Sequence, residues 1–303
     1  MENIACDLCG VREVRARFAA PDRLVTGEIF QVVECLRCGL VFVNPRPRES
    51  EMMRYYPEDY ASYIPSRGVA RFIKNIFLRR EARRLNRSFP KGARLLEVGA
   101  GSGEDAAYLR DKTHLTVAGM DTSTDAAHAA EKYFHLQLLV GTLLSLKLPI
   151  ESFDVLRMKY VLSHVPSPRE LLAEASRILK QGGMIYIFIP SVESWGARLF
   201  GRFWQGGEPP RHLYDFNPTT ITRYLTEAGF AAVRISHSVV PNTWVHSFRT
   251  VLAEYPVMRP LSRLFFLNPF SALLFLPLSI LAALFRASDR ILVVARRSNT
   301  QHT

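Results

Sequence analysis

The chain predicts an α/β fold: a seven-stranded, mostly parallel sheet with an antiparallel last strand, helices on both faces, and a small metal-bound unit at the N-terminus. Three observations predict it. Residues 93–190 alternate apolar strand-like runs with amphipathic helical stretches, the pattern of a parallel sheet covered on both faces. A glycine-rich turn, Gly99-Ala100-Gly101-Ser102-Gly103, directly follows the first of those strands. All four cysteines fall within the first forty residues, as two Cys-x-x-Cys pairs.

Composition sets the bounds. With 303 residues, 48% of them hydrophobic and 22% charged, the chain can bury one large core plus an appendage, and global disorder is excluded. The net charge of +11 favours an anionic partner: nucleic acid, an anionic bilayer or a phosphorylated substrate. From Arg67 to Arg94 ten Lys and Arg residues stand against one acid, Glu81. No apolar run follows a basic N-terminus, so no signal peptide is read and a cytoplasmic location is expected. In a reducing compartment, paired cysteines point to metal rather than disulfides.

Residues 1–47 read as a zinc ribbon. Cys6-Asp7-Leu8-Cys9-Gly10 and Cys35-Leu36-Arg37-Cys38-Gly39 are two knuckles, each relaxed by a glycine, and four thiolates suit a tetrahedral structural zinc ion. Redox dithiols and unliganded core cysteines are the alternatives. Ile29–Glu34 and Leu40–Val43 read as strands, the second stopped by Asn44-Pro45-Arg46-Pro47. Residues 48–92 hold an aromatic linker with Tyr55, Tyr56, Tyr60 and Tyr63, lying over the cleft or merely packed. A basic amphipathic helix over 67–88 follows, with Val69, Phe72, Ile73, Ile76 and Phe77 on one face. That face suits either a membrane surface or the sheet of the main domain.

Residues 93–303 supply the main sheet. Strands are read at Arg94–Val98, Leu115–Met120, Leu136–Val140, Phe153–Met158 and Met184–Ile189, with helices over Glu104–Arg110, Thr124–Phe134 and Arg169–Lys180. Asn217-Pro218 starts a helix that runs to Ala228. Phe230–Val239 is a sixth strand and Arg290–Ala295 an antiparallel seventh. Between them lies an apolar helical insert, about 240–288.

The glycine turn opens a helix, so bare backbone meets a ligand there. Asp121 ends the second strand, where an acid can bind both ribose hydroxyls. A dinucleotide is the rival. Its pattern places the third glycine one residue later, where Glu104 stands, and Glu97 and Glu104 would repel a pyrophosphate. S-adenosylmethionine, with a sulfonium and an ammonium and no phosphate, suits these acids.

On these residues the chain resembles the class I S-adenosylmethionine-dependent methyltransferases, whose domain is Rossmann-like. Glu97-Val98-Gly99-Ala100-Gly101-Ser102-Gly103 is similar to their first motif and Gly119-Met120-Asp121 to their second. Phe153-Asp154-Val155, His164-Val165-Pro166 and the run from Arg177 to Gly183 are similar to their fourth strand, following loop and fifth strand. One subgroup has a zinc ribbon ending like Cys38-Gly39-Leu40-Val41-Phe42-Val43-Asn44-Pro45, a tyrosine stretch like Tyr55-Tyr56 to Tyr60, and a later Pro-Arg-His-Leu like Pro210-Arg211-His212-Leu213. Such proteins act in pathways for glycans, lipids and other secondary products. The resemblance therefore implies small-molecule, glycan or lipid-linked acceptors. The expected cofactor contacts are Glu97, Gly99, Gly101, Gly103, Asp121, Thr142 and Lys159. Two departures stand out. Ser163 replaces the glutamate usual before the histidine. Gly141-Thr142 replaces an acid after the third strand, which leaves adenine to backbone and Thr142.

On the acceptor side, His212 and His164 lie on the carboxyl edge and are the expected catalytic histidines, with Tyr214 and Asp215 near the first. Structural loop-tying is the alternative for both. Arg211 would bind an anionic acceptor or pair with Glu208. Trp195, Phe200, Phe203 and Trp204 suggest an apolar lid or core. Leu264 to Phe285 carries no charge, but Pro269 and Pro277 break it and the seventh strand must return to the sheet. That points to contact with one leaflet rather than a span, with a buried cap or a dimer surface as the alternative. The expected function is a methyltransferase acting on a hydroxyl at the cytoplasmic membrane face. An RNA methyltransferase that uses the ribbon and basic helix, and a non-catalytic cofactor binder, remain as alternatives.

Overall fold

In the computed structural model, which describes residues 1–57, 60–266 and 268–298, the N-terminal segment forms three antiparallel strands. They are β1 (Val14–Pro21), β2 (Ile29–Cys35) and β3 (Val41–Val43). β2 is apolar on both faces: Val33 and Cys35 enter one core, Phe30 and Val32 another. β1 has no apolar alternation that would announce it, and its backbone pairing with β2 holds it in place.

A 3₁₀ helix of about two turns, Glu49–Tyr55, and a single turn, Ala61–Tyr63, lead to α1 (Gly68–Ser88). α1 docks through Leu78, Ala82 and Leu85, one face at helical spacing, against Leu95, Val155 and Tyr186. Val69, Phe72, Ile73, Ile76 and Phe77 stay 40% to 67% exposed. The reading that put this stripe on the sheet is therefore corrected. At 100° per residue it lies on the side of the helix opposite the docked face.

Strand and helix then alternate as expected: β4 (Arg94–Val98), α2 (Glu104–Lys112), β5 (Thr116–Asp121), α3 (Thr124–Phe134), β6 (Leu138–Val140), β7 (Phe153–Lys159), α4 (Pro168–Ile178) and β8 (Leu179–Pro190). Leu95, Leu96 and Val98 are all buried, so β4 is covered on both faces. α5 (Trp195–Phe200), β9 (Tyr214–Asp215) and α6 (Pro218–Glu227) come next; the last is capped by Asn217 with Pro218 in its first turn. Then follow β10 (Phe230–His237), α7 (Pro241–Glu254), α8 (Arg259–Ser262), α9 (Pro269–Leu284) and β11 (Arg290–Arg297).

The main sheet has the order β10-β11-β8-β7-β4-β5-β6, and β11 runs antiparallel between β8 and β10. Both ends of the α7–α9 insert therefore leave from the carboxyl edge of the parallel strands. Among the described residues no helix is long and apolar enough to cross a membrane. Leu267 and residues 299–303, inside the spans read above as the insert and the last domain, lie outside the described residues, as do 58–59 in the linker.

The N-terminal unit is built into the rest of the molecule. β9 adds to β3, with Phe42 opposite Tyr214 and Val41 opposite Asp215. Tyr224 of α6 donates to the Asp7 carboxylate at 2.8 Å, and Arg169 at the start of α4 donates to the Asp7 and Leu8 carbonyls. One core runs from Leu8, Leu40 and Phe42 through Leu213 and Phe216 to Leu156 and Ile187.

Candidate functional site

The glycine turn joins β4 to α2, and its three glycines have φ of +69°, +54° and +76°. A Cβ on Gly101 would lie 2.5 Å from the Ser62 carbonyl oxygen, and one on Gly103 would lie 2.7 Å from the Ala130 Cβ of α3. Ser102 N–H also donates to that Ser62 carbonyl, at 2.9 Å. The aromatic linker thus rests directly on the turn. The glycines answer to close protein neighbours as well as to any ligand. Asp121 accepts the Gly101 N–H at 2.8 Å through one oxygen and the Ser123 N–H at 3.0 Å through the other. It ties the turn to the start of α3 at the end of β5, and each oxygen keeps a lone pair. The Thr142 hydroxyl accepts the Ser145 N–H at 3.0 Å, which closes a small turn after β6.

Beneath the glycine turn lies an ion cluster that the sequence did not announce. Arg157 of β7 is 2% exposed. It donates to Glu81 of α1 at 2.8 Å, to Asp105 of α2 at 2.9 Å and to Glu97 of β4. Lys159 lies 2.7 Å from Asp105, and Lys74 of α1 lies 2.7 Å from both Glu104 and Asp105. Burial opposes the charge on Asp105, but Lys159, Arg157 and Lys74 hold it well below the usual carboxylate range. Burial pushes Glu97 up to about 7 against the pull of Arg157, and the neighbouring acids Asp105 and Glu81 add to the rise. Glu97, Glu104 and Lys159 are therefore committed to ion pairs. Glu97 and Glu104 are thus not the bare acids that would repel a pyrophosphate, and their ion pairs remove that ground for preferring S-adenosylmethionine. One oxygen each of Glu97 and Glu104 is still buried without a hydrogen-bond partner, which leaves acceptors for a cationic ligand. The signal available in the sequence was an arginine inside an otherwise apolar strand.

The expected histidines come together. His164, in the loop after β7, and His212 meet edge to face with ring centroids 4.6 Å apart. Tyr56 Oη is 3.1 Å from His164 Nδ1. Tyr60 packs on Tyr56 and on Tyr63, so a row of rings runs from the linker to the histidines. The Ser163 carbonyl accepts the Leu213 N–H at 2.8 Å, and the Leu213 carbonyl accepts the Val43 N–H at 3.0 Å. These bonds tie the β7 loop, the Pro-Arg-His segment and β3 together. His212 Nδ1 is 3.9 Å from Asp215 Oδ1, and both atoms are buried without a hydrogen-bond partner. Burial lowers His164 to about 3, helped by His212, and lowers His212 to about 4, helped by Arg211 and Arg290. Burial raises Asp215 to about 7. Both histidines are thus neutral proton acceptors near pH 7.

Arg211 takes neither of its expected roles fully. Its Nη1 donates to Asp22 and to the Tyr55 carbonyl, each at 2.8 Å, while Glu208 is 3.7 Å away. Trp204 is buried and donates to Asp289 at 2.7 Å, a core role rather than a lid.

In the N-terminal unit the Sγ atoms of Cys6, Cys9, Cys35 and Cys38 all lie within 4.8 Å of one another. The two knuckles repeat the same bonds. Cys6 N–H donates to Val11 and Gly10 N–H to Cys6; Cys35 N–H donates to Leu40 and Gly39 N–H to Cys35.

A family described as a methyltransferase domain matches residues 67–235, more than half of the chain. The chain belongs to the S-adenosylmethionine-dependent methyltransferases. It is 27% identical over 160 residues to demethylmenaquinone methyltransferase of Bacillus licheniformis, covering 51% of this chain and 67% of that one. It is 24% identical over 160 residues to ubiquinone biosynthesis O-methyltransferase of Burkholderia pseudomallei, covering 48% and 67%. Among solved structures, the [4+2]-cyclase SpnF is similar with a TM-score of 0.52 at 17% identity, covering 78% of this methyltransferase and 84% of that chain. That likeness concerns the fold.

Proposed function

We propose that this methyltransferase transfers the methyl group of S-adenosylmethionine to a hydroxyl of a small-molecule, glycan or lipid-linked acceptor, at the cytoplasmic face of a membrane. The cofactor supplies an electrophilic methyl group. Gly99, Gly101, Gly103 and Asp121 form its cradle at the carboxyl edge, with Glu97 and Lys159 in the ion cluster beneath and Thr142 beside it. The row from Tyr63 to Tyr56 excludes water from above. His212 takes the hydroxyl proton, and Asp215 stabilises the imidazolium that results. His164, held by Tyr56, positions the acceptor. By name, one of the relatives above is an O-methyltransferase of ubiquinone biosynthesis and another is a demethylmenaquinone methyltransferase, which supports an apolar acceptor and, from the first, a hydroxyl. Cys6, Cys9, Cys35 and Cys38 would hold one zinc ion. Four sulfurs at this mutual spacing suit a closed tetrahedral site, and the ion would fix the sheet that carries Asp215.

The observation that carries the proposal is the buried His212–Asp215 pair, unpartnered on the acceptor edge. Incubation of the full chain with labelled S-adenosylmethionine and separate membrane and soluble extracts tests it. Label in a lipid-extractable product that survives mild acid supports hydroxyl methylation. Label confined to RNA favours the RNA enzyme, and no S-adenosylhomocysteine with any extract favours a non-catalytic binder.

A further inference from the structure

We infer that the outward face of α1, together with that of α9, is a docking surface for an anionic lipid bilayer. This builds on the membrane-face reading above and names the surface and the lipid chemistry. The docked face of α1 is Leu78, Ala82 and Leu85. On the opposite side lie Val69, Phe72, Ile73, Ile76 and Phe77, and further along the same outward side come Arg79, Arg80, Arg83, Arg84 and Arg87, all exposed. The helix is therefore divided along its length. An apolar stretch of about 12 Å, at about 1.5 Å per residue, is followed by a cationic stretch of similar length. Apolar side chains at that scale reach the acyl boundary while arginines meet lipid phosphates.

α9 likewise has one buried face and one exposed apolar face. Ser271, Phe275, Ser279 and Ala282 turn inward. Outward, Phe270 is 85% exposed and Leu284 72%, with Leu273, Leu274 and Leu281 also exposed between them. No charge lies on α9; Arg259 and Arg263 precede it and Arg286 follows. α9 and the start of α1 lie at the carboxyl edge of the sheet. α9 leads into β11 beside the end of β8. The first half of α1 reaches α2 through Lys74, and the neighbouring Ser66 N–H donates to Glu104 at 3.0 Å.

Charge decides the occupant. A second copy of the chain would offer the arginine stretch no free acid from its own α1. The one acid of α1, Glu81, is spent on Arg157. Anionic phospholipid supplies the missing negative charge and an apolar phase together.

The test is flotation of the full chain with vesicles of phosphatidylcholine plus phosphatidylglycerol, or of phosphatidylcholine alone, over a range of salt. The protein should float with the anionic vesicles, less so as salt rises. Each apolar side chain withdrawn from lipid should cost a factor of about ten or more, so the double change Phe72→Glu, Ile76→Glu should weaken binding at least about a hundredfold. Both residues are exposed, so this variant should keep its circular dichroism and its affinity for S-adenosylmethionine. Arg80→Glu with Arg83→Glu should remove the salt dependence. Absence of anionic-vesicle binding, or undiminished binding by the Phe72/Ile76 variant, overturns the inference. So does a dimer in light scattering that the same change disperses. If the protein binds vesicles but methylates only a soluble acceptor, the surface stands and the lipid-linked acceptor falls. If a lipid-extractable acceptor is methylated without vesicle binding, the opposite holds.

Discussion

Replacing Asp215 with asparagine should change the pH dependence of methyl transfer in a calculable way. Below about pH 7 the buried Asp215 carboxyl holds its proton, and His212, lowered to about 4, faces a neutral partner. Above it, a carboxylate stands 3.9 Å from His212 Nδ1. At that distance and an effective dielectric of about 20, the attraction for a proton on the imidazole is about 4 kcal/mol, or about three pKa units. His212 therefore becomes a base matched to neutral pH only once Asp215 ionises. With proton transfer about half complete in the transition state, the gain is about thirtyfold in rate. The assay is kcat/KM with labelled cofactor and a methylated extract fraction, from about pH 5 to about pH 9. The wild type should rise about thirtyfold with an inflection near 7, while Asp215→Asn should stay flat at the lower level. Stability carries the same pair with opposite signs. Asp215 keeps a proton that the unfolded chain releases, so its contribution falls as pH rises from about 4 to about 7. His212 lacks a proton that the unfolded chain holds, so its contribution grows from about 4 to about 6.5. In the wild type the two slopes offset each other. In Asp215→Asn the slope of His212 is uncovered, up to about 3 kcal/mol across that window. An unchanged inflection in the variant, with normal cofactor binding, would refute the pairing.

Other substitutions probe the remaining parts. Gly101→Ala, at φ +54° with its Cβ 2.5 Å from the Ser62 carbonyl, should lower S-adenosylmethionine affinity more than about tenfold by calorimetry; unchanged affinity would mean the linker yields freely. Arg157→Leu leaves Glu97, Glu81 and Asp105 without their shared guanidinium and should cost about 3–5 kcal/mol in urea unfolding. Glu97→Gln in the same chain should recover part of that loss. A change below about 0.5 kcal/mol would contradict the network's role. Elemental analysis should find one zinc per chain. Cys35→Ser should lose the metal and also slow methyl transfer, because β3 carries β9 beside His212; full activity in a metal-free chain would contradict this.

The main fold was legible because its signals are local. Leu95, Leu96 and Val98, Ile185, Ile187 and Ile189, and the Asn217-Pro218 cap all act within a few residues. The glycine turn and Asp121 were legible for the same reason, and His164 and His212 by their place after known strands. Arg157 was not, since its three partners lie on three other elements and only the folded chain brings them together. The Arg211–Asp22 bond spans most of the sequence, so Glu208, three residues away, looked the nearer partner. The direction of α1 was ambiguous because it carries two apolar stripes. The less conspicuous one, Leu78, Ala82 and Leu85, is buried because Glu81 beside it finds Arg157. β9 was hidden by its two-residue length and exists because β3 offers an open edge.

One comparison weighs on the whole proposal: transfer of labelled methyl groups by wild type and His212→Asn, each saturated with S-adenosylmethionine, to the fraction of extract that the wild type labels. If His212 is the base on this cradle, the wild type forms labelled product and S-adenosylhomocysteine in equal amounts. The variant then binds the cofactor equally well and transfers about a hundredfold more slowly, or worse. Equal transfer by the two proteins, or bound cofactor that the wild type never turns over, would contradict it.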